Sequence, residues 1–360
     1  MKRSLIFILL LSILLCGCEK QQAAKVVTVL PHSNLLSGLE PTLTEAPIPK
    51  NQNLLTGIPD LTEKAIGKRP VAVMINNVKG AMPQYGIAKA DVIFEMPVEG
   101  NLTRMMALYA DYTQMPDICS IRSCRYYFPA VSEGFDAFYV HWGMDPSVKD
   151  YVNSLKLDRY NGSTNTGGLF ARDQDRLNAG YSREHTAYFK GTQFASVVER
   201  TGKRTELAPD KKGTAFSFCP IGTTVTPTGS TCSTITVKFG NAIAGFQYDE
   251  SAKIYYKSFN GNPQVDGRTE EQLSFTNVFV LETSIWTRED GVHKGIDWAG
   301  NENARGYYFT NGAMQEIRWS KENGEEEGYL KFYDLQGNEL SINRGKSYIA
   351  YTYANKTTWS

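Results

Sequence analysis

The sequence has no surplus of either charge: 38 Lys and Arg stand against 38 Asp and Glu, for a formal net charge of zero. Bulk electrostatics therefore offers no basis for nucleic-acid binding, and no nucleic-acid partner is expected. Histidine is scarce, with four residues in 360, and six cysteines are spread without a tight zinc-type spacing. No metal and no cofactor is expected on that ground. The glycine-rich stretch Asn161 to Gly168 lacks both the Gly-Lys-Ser/Thr ending of a phosphate loop and the spaced glycines of a dinucleotide fingerprint. It reads as a surface loop, placed to cover a pocket. No internal repeat of fixed period is visible. What remains is an ordinary globular composition, 41% hydrophobic and 21% charged, long enough for two domains.

The N-terminus carries an address. Lys2 and Arg3 precede an apolar run from Leu5 to Leu15, followed by Cys16-Gly17-Cys18. The run is about half of the ~20 residues that a membrane-spanning helix needs, so residues 1–17 read as a cleaved secretory signal. Leu15-Cys16-Gly17-Cys18 resembles a bacterial lipobox, with Cys18 as the lipidated residue and new N-terminus. A lipid there would bury many methylenes at about 0.8 kcal/mol each, and the cell membrane becomes the first expected partner. The expected location is the outer face of the cytoplasmic membrane. No later stretch has the apolar length for a second span.

Residues 18–52 are polar and broken by Pro31, Pro41, Pro47 and Pro49, as in a flexible linker. From Arg69 the texture changes. Val71 to Ile75 is a continuous apolar run, and Asp91 to Glu95, Arg104 to Ala110, Ile118 to Ile121 and Phe135 to His141 are further strand candidates. Val148, Tyr151, Val152 and Leu155 fall at helical spacing, and so do Phe194, Val197 and Val198. The alternation predicts an α/β N-terminal domain over residues 53–208. Beyond the polar junction Ala208 to Gly213 the candidates are strands: Ile235 to Phe239, Lys253 to Lys257 and Asn277 to Leu281. Asn311-Gly312 between two aromatic-rich runs is a strong hairpin signal. Residues 213–360 are expected to form a β-rich, sandwich-like C-terminal domain.

Outside the cytoplasm, Cys119, Cys124, Cys219 and Cys232 could make two bridges in any of three connectivities. Cys219 and Cys232 flank a turn-rich stretch that could bring them together, and a disulfide between them is one expectation. Cys119 and Cys124 would face opposite ways on a straight strand, about 17 Å apart, beyond disulfide reach.

Chemistry-bearing residues gather in the N-terminal half. Arg104, Arg122 and Arg125 lie on or beside buried strands, where a guanidinium rarely sits without a partner. Converging, they would bind a phosphate or carboxylate through paired hydrogen bonds. Closed by Glu95, Glu99 and Asp91, they would be internal ion pairs. With Glu95, Glu99, His141 and His185 on the same rim they form the expected ligand-binding set. Ser123 has no base beside it, Pro97 separates Glu95 from Glu99, and His141 and Asp145 sit in loop-forming sequence. No catalytic residue can be assigned.

Several segments together are similar to one family. They are Asn53-Leu54-Leu55-Thr56-Gly57-Ile58-Pro59, Arg69 to Asn77, Pro83-Gln84-Tyr85-Gly86, Ala90 to Glu95, Val98 to Arg104, Ile121 to Arg125, Gly306 to Gly312 and Ile317 to Lys321. They resemble, in order over most of residues 53–350, the YerB-like lipoprotein family of Gram-positive bacteria. Asn101 stands where a second glycine is usual, and Cys119 and Cys124 where small residues are usual. The resemblance implies a two-domain extracytoplasmic lipoprotein and supplies no reaction. The expected function is a membrane-anchored binding or scaffold module with an arginine-lined pocket for an anionic envelope ligand or protein partner. The alternative is a cell-envelope enzyme transferring phosphoryl or glycosyl-phosphate groups, by analogy with the arginine placement of LytR-CpsA-Psr phosphotransferases.

Overall fold

The computed structural model describes residues 47–360. The signal segment, Cys18 and most of the linker lie outside the described residues. Strands of the first half are β1 (Val71–Asn77), β2 (Val92–Pro97), β3 (Thr103–Tyr109), β4 (Ile118–Cys119), β5 (Phe138–His141), β6 (Arg159–Asn161), β7 (Phe170–Arg172) and β8 (Ala187–Phe189). The second half supplies β9 (Thr234–Lys238), β10 (Ile243–Asp249), β11 (Ile254–Phe259), β12 (Asn262–Pro263), β13 (Ser274–Phe275), β14 (Asn277–Glu282), β15 (Ile285–Thr287), β16 (Lys294–Ile296), β17 (Gly300–Thr310), β18 (Ala313–Lys321), β19 (Leu330–Tyr333), β20 (Ser347–Thr352) and β21 (Thr357–Trp359). The α-helices are short: α1 (Tyr127–Ser132), α2 (Lys149–Ser154), α3 (Gln174–Asn178) and α4 (Phe194–Thr201).

The chain is β-rich, and its two halves share one mixed sheet of ten strands, in the order β19-β18-β17-β14-β20-β2-β3-β1-β5-β6. β20, near the C-terminus, lies parallel to both β14 and β2, with Val92 opposite Ser347 and Glu95 opposite Ala350. The boundary between the halves is thus a strand-to-strand hydrogen-bonded ladder. Sequence patterns cannot reveal it, because both sides of the ladder read as ordinary buried strands. At the other end, β1, β5 and β6 run parallel.

Alternation along each strand divides the sheet into two buried faces. Val71, Val73, Ile75, Ile93, Met105, Ala107, Val140, Val280 and Tyr348 fall on one face, against a second sheet of order β12-β11-β10-β9-β21 and against α4. Ala72, Met74, Phe94, Met106, Leu108, Tyr139, Phe279 and Tyr351 fall on the other, against α1 and the segment around Leu54 and Leu55. Covered on both sides, β1 is buried at every residue, which is why its sequence is a continuous apolar run. The expected hairpin is present: Asn311 and Gly312 both take positive φ, 49° and 71°, between β17 and β18. This is the backbone that a two-residue turn needs to match strand twist.

The disulfide expectation is corrected. Cys219 and Cys232 are free and buried, as are Cys119 and Cys124. Each end of the intervening stretch is tied to a different segment, one between β19 and β20 and the other the β17–β18 turn. The Cys219 amide donates to Ile342 O and the Cys232 amide to Gly312 O. The two thiols meet Thr223 O and Thr234 O instead, each at 3.3 Å. Burial pushes the Cys232 thiol up to about 11.

Candidate functional site

The segment Ile121 to Cys124 is laid across the ends of β1 and β5. The Arg122 amide donates to Met74 O, the Trp142 amide to Arg122 O and the Cys124 amide to Gly143 O. From this crossing Arg122 and Arg125 reach different partners.

Arg125 and Arg104 converge on Glu99. Arg104 Nη2 donates to Glu99 Oε1 at 3.0 Å, Arg125 Nε donates to Oε2 at 2.9 Å, and Arg125 Nη2 closes on Oε1. Each guanidinium also donates to backbone: Arg104 Nη1 to Ser123 O and Arg125 Nη1 to Cys124 O, both at 2.9 Å. Burial pushes the Glu99 carboxyl up, but the Arg125 hydrogen bond and both guanidinium charges prevail and hold it at about 2. Burial, with Arg125 next to it, lowers Arg104 to about 10. Glu99 reaches this position because the turn after β2 passes through Gly100 at φ 67° and Asn101 at φ 57°. Asparagine tolerates that left-handed backbone, so Asn101 can replace a second glycine there.

Glu95 lies elsewhere. Alternation along β2 puts it on the face of Ile93, under the second sheet, whereas Arg104 shares the opposite face with Met106. Its Oε1 accepts from Asn77 and Thr103, its Oε2 accepts from Tyr348 at 2.8 Å, and Lys257 lies 3.3 Å away. Lys257 Nζ also donates to Gln264 Oε1 at 2.7 Å. Both charges are fully buried, and burial lowers the Lys257 ammonium despite Glu95. Glu95 is thus an interior tie between the two halves, removed from the arginines by the thickness of the sheet. The expected single rim containing both is corrected accordingly.

The histidines separate as well. His185 Nδ1 meets Asn76 Nδ2 at 3.0 Å, and its Nε2 lies 3.7 Å from Glu184. His141, buried on β5, meets Gly143 O at 2.9 Å through Nδ1. Asp145 is apart from His141. It sits 3.0 Å from Arg288 and 3.5 Å from His293, whose Nδ1 is 2.9 Å from Asp290.

Of the expected arginines, Arg122 opens onto a cleft. The cleft holds about 300 Å³ and is lined by Ile121, Arg122, Trp142, Arg172, Arg183, Glu184 and Ala187. Arg122 pairs with Glu184 at 2.6 Å. Arg172 lies with its guanidinium 4.1 Å over the Trp142 ring and donates to Arg183 O at 2.7 Å. Burial lowers Arg172, followed by the charges of Arg183 and Arg122. Among the described residues, Glu184 is the one carboxylate lining the cleft, and it faces three guanidiniums. Such an arrangement can hold an anion through charge-assisted hydrogen bonds. The phosphoryl-transfer alternative required Arg104, Arg122 and Arg125 on one cleft, and two of them are committed to Glu99.

Arg172 was not singled out from the sequence. Alternation along β7 places it: Phe170 packs edge-on against Trp142 at 5.8 Å, and Arg172 follows on the same face. Gly162, in the glycine-rich loop, is there for packing, since a Cβ at that position would collide with the Trp142 ring.

The fold and site define a β-rich protein of two interlocked halves, with an arginine cleft on the first. A family model described as the N-terminal domain of a protein of unknown function (DUF3048) matches residues 55–204, and its C-terminal counterpart matches residues 235–349. The chain belongs to this two-domain family, the YerB-like proteins. It is 29% identical over 276 residues to YerB of Bacillus subtilis (strain 168), named as a candidate lipoprotein, covering 75% of this chain and 78% of that one. The crystal structure of YerB from Bacillus subtilis superposes with a TM-score of 0.71 at 28% identity, covering 85% of this chain and 98% of that chain. No helix among the described residues is long and apolar enough to cross a membrane.

Proposed function

We propose that the protein is a lipid-anchored extracytoplasmic binding module that takes an anionic ligand in the cleft of Arg122, Arg172 and Arg183. One observation carries this reading: three guanidiniums share a cleft with a single carboxylate. The nearby Arg104, Arg125 and Glu99 sum to one further positive charge, and Arg104 already feels the charge of Arg122. An incoming anion would compete with Glu184 for Arg122 and meet Arg172 and Arg183, which have no carboxylate in salt-bridge reach among the described residues. On the same reading, residues 53–208 act as an α/β binding unit, and the sandwich-like half from residue 213 is its buttress. Residues 1–17 direct export, and the lipid on Cys18 holds the protein at the outer face of the membrane, where an anionic envelope component or protein partner is within reach.

Titration calorimetry of the full chain with inorganic pyrophosphate tests the cleft. Arg172→Ala is expected to weaken binding about tenfold or more, the loss of a charge-assisted contact of about 1.5–3 kcal/mol. Equal affinity in the variant would refute the site. For the anchor, Cys18→Ala is expected to leave the protein unlipidated. Lipid labelling that persists in this variant would refute the assignment.

A further inference from the structure

A cleft of about 320 Å³ joins residues of both halves, and four of them are aromatic: Tyr126 beside α1, Tyr151 on α2, Trp286 on β15 and Trp298 after β16. A single exposed aromatic residue is ordinary, but four rings lining one surface cleft are not. Trp286 is 49% exposed. On the β15–β16 ladder it stands opposite Gly295, and a Cβ on Gly295 would collide with the indole. The indole is therefore held against bare backbone while much of its surface stays open. Tyr126 is fixed as well. Its hydroxyl donates to Ile296 O at 3.3 Å and accepts from the Ile296 amide at 3.1 Å, and Tyr151 packs edge-on against it at 5.7 Å.

Polar groups with spare capacity line the same cleft. Arg288 uses Nη1 for Asp145 Oδ2 at 3.0 Å and Ser147 Oγ at 3.1 Å, and among the described residues its Nε and Nη2 have no hydrogen-bond partner. Glu326 accepts from the Tyr151 hydroxyl at 2.6 Å through Oε1, and its Oε2 accepts nothing among the described residues. The indole N–H groups of Trp319 and Trp359 donate to Arg305 O and Ser230 Oγ, whereas those of Trp286 and Trp298 have no acceptor among the described residues. Charge in the cleft is already matched. Arg288 pairs with Asp145, and Glu326 opposes it in sign. The Arg288 guanidinium lies 5.8 Å over the Tyr126 ring, and Lys321 Nζ lies 5.4 Å over Trp298. Aromatic faces attract cations, and two of these four already have one, which disfavours a cationic ligand. An uncharged ligand with an apolar face and hydroxyls that both donate and accept fits this lining. A pyranose with equatorial hydroxyls has that form: its axial C–H bonds make the face and its hydroxyls the edge.

We propose that this cleft is a carbohydrate site, in which a pyranose ring stacks on Trp286 while its hydroxyls donate to Glu326 Oε2 and accept from the free donors of Arg288. It shares no residue with the arginine cleft, so the two readings stand or fall separately.

The test adds cellobiose or di-N-acetylchitobiose to the full chain and follows the indole N–H resonances of its five tryptophans. Sorbitol, which has the hydroxyls without the ring, and choline, a quaternary ammonium, are the controls. At least one disaccharide is expected to give saturable shifts at Trp286 and Trp298, with Trp142 and Trp359 unmoved and sorbitol silent. Trp286→Ala is expected to weaken binding about tenfold or more, and Glu326→Ala about threefold or more. Trp286 is half exposed, so its variant is expected to keep the fold; where it does not, Glu326→Ala reports. No saturable shift with either disaccharide, affinity unchanged in both variants, or sorbitol binding as tightly as the sugars would overturn the site. Choline moving Trp286 and Trp298 while neither sugar does would make the cleft a cation cage instead. Sugar-induced shifts confined to Trp142 would assign the sugar to the arginine cleft and equally overturn the proposal.

Discussion

Glu95 with Lys257 and Arg122 with Arg172 and Arg183 are built from the same kinds of groups and come to opposite ends. The first pair is fully buried, and Asn77, Thr103, Gln264 and Tyr348 satisfy its polar atoms. The second group is partly exposed and short of negative charge. A closed network in low dielectric ties the two halves together and leaves no capacity for a ligand. An open one sacrifices pairing and keeps that capacity. The Glu99 cluster lies between them: Arg104 and Arg125 are closed, yet one positive charge remains. Burial and pairing, more than residue type, separate structural charge from binding charge.

The largest effect is expected at the closed end. Glu95→Ala strands Lys257 without its partner inside the protein, at a cost of about 3–5 kcal/mol in chemical denaturation. Glu95→Gln combined with Lys257→Met removes both charges and is expected to cost clearly less than Glu95→Ala. If the double variant is as unstable as the single one, the ion pair is not what Glu95 contributes. Next comes Glu99→Gln, which leaves two guanidiniums facing each other and is expected to cost about 1.5–3 kcal/mol. A cost within about 0.5 kcal/mol would place Glu99 with the surface pairs.

Acid should act on the same groups in a defined order. His141 has its folded-state value depressed to about 4 from the ordinary 6.5, so its contribution is complete above 6.5 and is lost as pH falls through 4. Glu99 is depressed to about 2 from 4.5, so its contribution is complete above 4.5 and is lost as pH falls towards 2. Stability measured against pH should therefore decline in two stages, and Glu99→Gln should flatten only the lower one. A variant curve parallel to the wild type below pH 4.5 would contradict this. At the open end, Arg172→Ala is expected to cost no more than about 1 kcal/mol, the loss of its contact with the Trp142 ring, because no carboxylate among the described residues depends on it. A large destabilisation would recast Arg172 as a structural residue.

Much of this was legible in the sequence, and the exceptions have a common cause. A continuous apolar run marked β1, β-rich composition marked β14, Asn311-Gly312 marked the β17–β18 turn, and helical spacing marked α2 and α4 to within a few residues. Glu99 as the partner of Arg104 and Arg125 was one of the two readings open from sequence proximity. Missing were relations that only the tertiary fold creates. β20 crosses from the far end of the chain to pair with β2, and that pairing brings Tyr348 to Glu95. Glu95 and Glu99 are near in sequence, yet strand alternation and a turn send them to different environments. Arg172 is in a three-residue strand, too short to carry a pattern by itself.

The most direct measurement follows the arginine Nε resonances of the full chain by NMR as inorganic pyrophosphate is added. Shifts at Arg122, Arg172 and Arg183 that saturate together, with Arg104 and Arg125 unmoved, are the predicted result. Saturable shifts at Arg104 and Arg125 with the cleft arginines silent, or no shift at any of the five, would contradict the division between closed and open charge.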